Sequence, residues 1–96
     1  MSEYKVLIVE DNKINMKIMR DLLGVHGYQT LEAGDGPVCL DMAQTHRPEL
    51  ILMDIQLPTM NGYEVTRSLK EQDETKNIPI VVVTSLAMKG EKDQAR

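Results

Sequence analysis

Three short apolar runs, separated by stretches of helical periodicity, predict an α/β domain: a doubly wound parallel sheet with helices on both faces. The runs are "KVLIV" at 5–9, "ELILM" at 49–53 and "PIVVVT" at 79–84. None alternates with polar residues, which is the pattern of strands buried on both faces. The order strand, helix, strand, helix, strand, helix, strand belongs to that architecture.

The first strand, 5–9, is β-branched and too brief for a helix. Over 14–25, Ile14, Ile18, Leu22 and Val25 recur every three or four positions, joined by Met19 and Leu23. They predict a helix with that stripe inward and Lys17, Arg20 and Asp21 on the other side. Gly27 is placed to end it. Residues 28–33, "YQTLEA", are more polar and predict an edge strand. A second helix is predicted over 37–46, before Pro48, although "PVCLDMA" is too continuous to show its face. A third, 61–72, turns Val65 and Leu69 inward and Arg67, Lys70 and Glu71 outward. The last strand is followed by "MKGEKDQAR" at 88–96, a polar, helix-compatible stretch.

At 96 residues, with 42% hydrophobic and 27% charged, the chain has the composition and length of one globular domain. Eleven basic residues against fifteen acidic give a net −4, and the basic ones are scattered, so nucleic-acid binding is not expected. A single cysteine, Cys39, excludes an internal disulfide and is expected to be packed. No stretch reads as a signal peptide or a membrane span, so a cytoplasmic protein without membrane contact is expected.

The chemistry collects at the strand ends. "VLIVEDN" closes in Glu10-Asp11, "LILMD" in Asp54 and "VVVTS" in Thr84-Ser85. Ligands of open α/β sheets bind beyond the carboxyl ends of the strands, where the strand order reverses. If the first and third of these strands are neighbours, about 4.8 Å apart, three carboxylates converge. Such a cluster repels itself and raises at least one pKa unless a hard divalent cation, Mg2+ above all, neutralises it. Taken singly, each acid reads as a solvated loop residue or a helix cap, and Asp11 or Asn12 is suited to cap the first helix; three such endings together favour the site. Thr84 is placed to contact an anionic ligand. Pro58 and Gly62 are turn residues that also frame a main-chain carbonyl, such as that of Gln56, toward the metal.

The segments "VLIVEDN", "LILMDIQLPTMNGYEV" and "IPIVVVTSLAMKGE" resemble the receiver domain of two-component response regulators, over residues 4–96. Within that family "NMK", "DIQLP" and "AMKG" are similar to the single-domain cell-division regulators, and receiver modules of hybrid histidine kinases share much of this wording. The resemblance implies a flavodoxin-like fold of strand order 2-1-3-4 in a single domain spanning 1–96. It implies that Asp54 accepts a phosphoryl group from a histidine kinase or histidine phosphotransfer protein. Asp11 and Asp54 then ligate Mg2+, Glu10 holds it through water, and Gln56 lends its backbone carbonyl. Thr84 is the switch hydroxyl, and Ser85 leaves room for the phosphate. The output is altered contact with a downstream regulatory protein, in cell-cycle control, by a phosphoacceptor and not by an enzyme.

In the family a fifth strand ending in Lys-Pro and a fifth helix follow, and this sequence stops before both. The expectation is a fragment of a longer protein, or a chain that self-associates through the open edge of strand 79–84, with weaker phosphorylation for want of the lysine. Two rivals stand beside this reading. A Mg2+-dependent phosphohydrolase with an aspartate nucleophile normally has a second acid two residues on, where this chain has Gln56. A non-signalling interaction module would retain the acidic pocket without using it.

Overall fold

A computed structural model describes residues 4–54, 57 and 61–83. In chain order the elements are β1 (Lys5–Val9), α1 (Lys13–Val25), β2 (Gln29–Ala33), α2 (Gly36–His46), β3 (Leu50–Asp54), α3 (Gly62–Lys70) and β4 (Ile80–Val83). All strand pairs are parallel and the sheet order is β2-β1-β3-β4. The sequence therefore placed all seven elements, with shifts of one or two residues at their ends. The stretch 88–96 lies outside the described residues.

Alternate residues of the central strands go to opposite faces, as a pleated sheet requires. Leu7, Val9, Ile51 and Met53 pack with Cys39 and Ala43 of α2 and Val65 and Leu69 of α3 in the larger core. Val6 and Ile8 meet Met16 of α1, with Met19, Leu23, Leu50 and Leu52 around them, in the smaller one. Burial pushes the Cys39 thiol up to about 12, so it behaves as a small apolar core residue.

Local chemistry sets the helix ends. The Asn12 side chain accepts from the Asn15 N–H at 2.9 Å to start α1. That helix closes where Gly27, at φ 88°, donates to Gly24 O while Tyr28 N–H donates to Leu23 O. This paired arrangement needs a left-handed residue, which glycine adopts at least cost. Asp35 caps α2. Asn61 and Glu64 cap α3 reciprocally, each side chain taking the other residue's backbone N–H. At the far end of α3, the buried Thr75 hydroxyl donates to Leu69 O at 2.6 Å.

One expectation fails. The residues of α1 that face the sheet are Asn15, Met16, Met19 and Leu23, whereas Ile14, Ile18, Leu22 and Val25 are exposed. Both stripes have helical spacing, so periodicity alone did not choose between them. Met19 and Leu23, grouped with the outer stripe in the sequence, belong with Met16 instead.

Gly24 lies inside α1, is exposed, and has open space where a Cβ would sit. Gly24→Ala is therefore expected to stabilise the fold by about 0.5–1 kcal/mol through reduced backbone entropy of the unfolded chain. Urea denaturation should show a raised midpoint with an unchanged slope.

Candidate functional site

The strand order brings Glu10 and Asp54 together. Val9 of β1 pairs with Met53 of β3, so the next residue on each strand emerges at the same edge of the sheet. Glu10, Asp11 and Asp54 each offer a carboxylate oxygen, and these oxygens all lie within 4.8 Å of one another. Glu10 and Asp54 are buried, while Asp11 is exposed. A cleft of about 550 Å³ opens on Glu10 and Asp11, walled by Lys13, Lys17 and Arg20 of α1 and by Glu32 and Gly34 at the end of β2.

Glu10 is fixed more firmly than its sequence position alone implied. Its backbone N–H donates to Ala33 O at 3.0 Å, which ties the residue to the end of β2. One carboxylate oxygen accepts from Asn12 N–H at 3.1 Å and from Asn15 Nδ2 at 3.5 Å. The sequence reading passed over Asn15. Its signal was a polar residue one turn past a helix cap, on the face that the sheet buries.

Burial raises the Glu10 pKa, and the charges of Asp54 and Asp11 push it further up, while the bonds from Asn12 and Asn15 oppose the shift. This is the mutual repulsion expected of gathered carboxylates. The donor set is all hard oxygen, with no His or Cys in the cluster, which suits a hard divalent cation bound through carboxylates and water.

Of the residues singled out in the sequence, Glu10, Asp11 and Asp54 meet here. Gln56, Pro58, Thr84 and Ser85 lie outside the described residues. Asp54 pairs with Val83, the residue before Thr84, in the β3–β4 register. Cys39 is packed in the core. Among the described residues, no helix is long and apolar enough to cross a membrane.

With this sheet and acidic edge in place, the comparisons with known proteins are specific. The model of the response regulator receiver domain matches residues 6–96, and the chain belongs to that family. Its similarity then narrows to one kind of member. The chain is 53% identical, over 95% of its length and 74% of the relative's, to the polar-differentiation response regulator DivK of Brucella anthropi. Among solved structures, the receiver domain of the Pseudomonas aeruginosa sensor histidine kinase PA1611 matches at TM-score 0.83 and 28% identity, over 99% of this chain and 84% of that one. That structure holds a magnesium ion coordinated in its active-site cleft. The chemotaxis response regulator CheY4 of Vibrio cholerae matches at TM-score 0.83 and 30% identity, over 90% of this chain and 72% of that one. Membership of a two-component family implies a histidine kinase or a phosphotransfer protein as partner.

Proposed function

We propose that Asp54 is the phosphoacceptor of this receiver and that Glu10, Asp11 and Asp54 hold Mg2+ beside it, with the backbone carbonyl of Gln56 as a further ligand. The observation that carries the reading is the convergence of three carboxylates at the tips of β1 and β3 in a member of the receiver family. When bound, Mg2+ supplies charge neutralisation for the carboxylates and the phosphoryl oxygens.

An Asp54 carboxylate oxygen attacks the phosphorus of a phosphohistidine. The P–O bond forms as the P–N bond breaks, and the imidazole leaves with the electron pair and takes up a proton. Glu10, held by Asn12 and Asn15, keeps its carboxylate aimed at the shared volume. Asp11, as the exposed member, would be the ligand on the solvent side of the ion. Thr84 then serves as the switch hydroxyl and Ser85 as the small residue beside the phosphate; the register of Asp54 with Val83 supports both roles.

Residues 1–96 act on this reading as one receiver domain in the cytoplasm, as a stoichiometric acceptor and not a turnover catalyst. The likeness to polar-differentiation regulators supports an output in cell-cycle control through a downstream regulatory protein. Among the described residues β4 is an outer strand of the sheet, which supports backbone pairing with another chain along it.

The test is intact mass spectrometry after incubation with Mg2+ and a small acyl or amide phosphate donor. One phosphoryl group on the parent chain and none on Asp54→Asn is the expected result. Labelling of both, or of neither, overturns the assignment of Asp54. Sustained release of phosphate from a simple phosphate ester would instead favour a phosphohydrolase.

A further inference from the structure

The Glu10 carboxylate is held through one of its two oxygens. Asn12 N–H and Asn15 Nδ2 both donate to Oε2, at 3.1 and 3.5 Å. A carboxylate oxygen offers two lone-pair sites, so two donors fill both on Oε2 and leave Oε1 as the oxygen available to a cation. The backbone beneath is fixed as well, because Glu10 N–H donates to Ala33 O and the residue is buried.

The sequence builds this clamp into the first turn of α1. Asn12 is the helix cap, and its side chain takes the Asn15 N–H at 2.9 Å. The N–H of a cap residue has no partner within its own helix, so that of Asn12 goes to Glu10 instead. Three residues on, the helix turns Asn15 toward the sheet, where it is buried beside Met16. An amide buried there needs a polar partner. Met16 packs on the aliphatic side chains of Val6 and Ile8, and Glu10 is the group that Asn15 meets.

We infer that Asn15 is a positioning residue that sets metal specificity: together with Asn12 N–H it restricts Glu10 to one-oxygen coordination, and so makes the acidic edge select Mg2+ over Ca2+. The inference rests on the proposed role of Glu10, Asp11 and Asp54 in holding the ion. Mg2+ is bound through one or two carboxylates, with waters and phosphate oxygens completing a strict octahedron. Ca2+ takes a larger and more flexible oxygen shell, often with a carboxylate that gives both oxygens. A Glu10 that gives one oxygen leaves positions for water and for the phosphoryl group. A Glu10 released to give two would favour the larger ion. Selectivity between these ions turns on ligand number and flexibility, and the clamp limits both.

Isothermal titration calorimetry with magnesium chloride and with calcium chloride, at one pH, tests it on the parent, Asn15→Leu and Asn15→Ala. The leucine variant keeps the branched shape of asparagine without its donor, and the alanine variant only removes atoms. Both should retain the parent's far-UV circular dichroism. Loss of the donor opens a lone pair on Oε2, so the ratio of the Ca2+ Kd to the Mg2+ Kd should fall by about fivefold or more. In a Glu10→Gln background, where the side chain has a single oxygen, the same Asn15 substitutions should leave the ratio unchanged. A merely structural Asn15 would weaken both ions alike, and that result overturns the inference. A ratio that shifts as much in the Glu10→Gln background overturns it too. A parent that binds neither ion overturns the metal site and the inference with it; a parent that binds Mg2+, with variants that keep its ratio, overturns the inference alone.

Discussion

Asp54→Asn is expected to make the metal-free chain more stable than the parent and to remove most of its response to Mg2+. The parent gathers three carboxylates within 4.8 Å, and the strain falls on Glu10, whose pKa is raised first by burial and then by the charges of Asp54 and Asp11. An acid with a raised pKa in the fold binds its proton more tightly when folded than when unfolded. Its contribution is therefore favourable below the unfolded pKa and fades as pH rises through the folded one. Without metal, Glu10 should make the parent more stable as pH falls from neutral into the weakly acidic range, and the difference between parent and Glu10→Gln isolates that contribution. Asp54→Asn deletes one of the charges acting on Glu10 and should flatten this part of the profile. Metal works in the opposite direction, because the same carboxylates become ligands. At a Mg2+ concentration about 100 times Kd, linkage adds roughly 2.7 kcal/mol, or on the order of 10 °C in Tm for a chain of this size. Thermal melts with Mg2+ and with a chelator, at two pH values, read both effects. A parent whose Tm ignores Mg2+, or an Asp54→Asn chain that responds as strongly as the parent, would contradict the proposed site.

The sequence made the strands and the acidic edge legible for a shared physical reason. A strand buried on both faces must be apolar throughout, so a carboxylate that ends it is conspicuous, and Glu10 and Asp54 stood out at the ends of such runs. Parallel pairing of β1 with β3 then carries them to one edge without further information. The partners of Glu10 were harder to read. The Asn12 backbone N–H and the Asn15 side chain reach the carboxylate only once α1 has started at its cap and turned Asn15 inward. The orientation of α1 itself was misread because a 13-residue helix carries two apolar stripes of nearly the same spacing. The more aliphatic one, Ile14, Ile18, Leu22 and Val25, looked like core, yet the looser and more adaptable set of Met16, Met19 and Leu23 fills the space above Val6 and Ile8. Hydrophobicity ranks the stripes in the wrong order, and only the phase set by the Asn12 cap and the position of the sheet decides between them.

That difference in phase leads to a sharp contrast between two identical substitutions. Leu69→Ala on α3 is expected to cost about 2–5 kcal/mol, whereas Leu22→Ala on α1 should cost less than about 0.5 kcal/mol, close to the surface norm. Leu69 is fully buried in the larger core with Val65, Cys39, Ala43, Ile51 and Met53. Its backbone carbonyl also accepts from the buried Thr75 hydroxyl, which fixes the turn leading to β4. Truncation would leave a cavity in a region pinned by that bond and by Lys70 Nζ, which donates to Lys76 O and Ile78 O at 3.2 Å, so the site is held against collapse. Leu22 is 59% exposed and its removal opens no cavity in the isolated chain. Domain stabilities of 5–15 kcal/mol mean that the Leu69 variant should lose much of its margin and the Leu22 variant almost none. Urea melts at low micromolar concentration make the comparison. Equal costs at the two positions would show that the outer stripe of α1 is covered within a single chain.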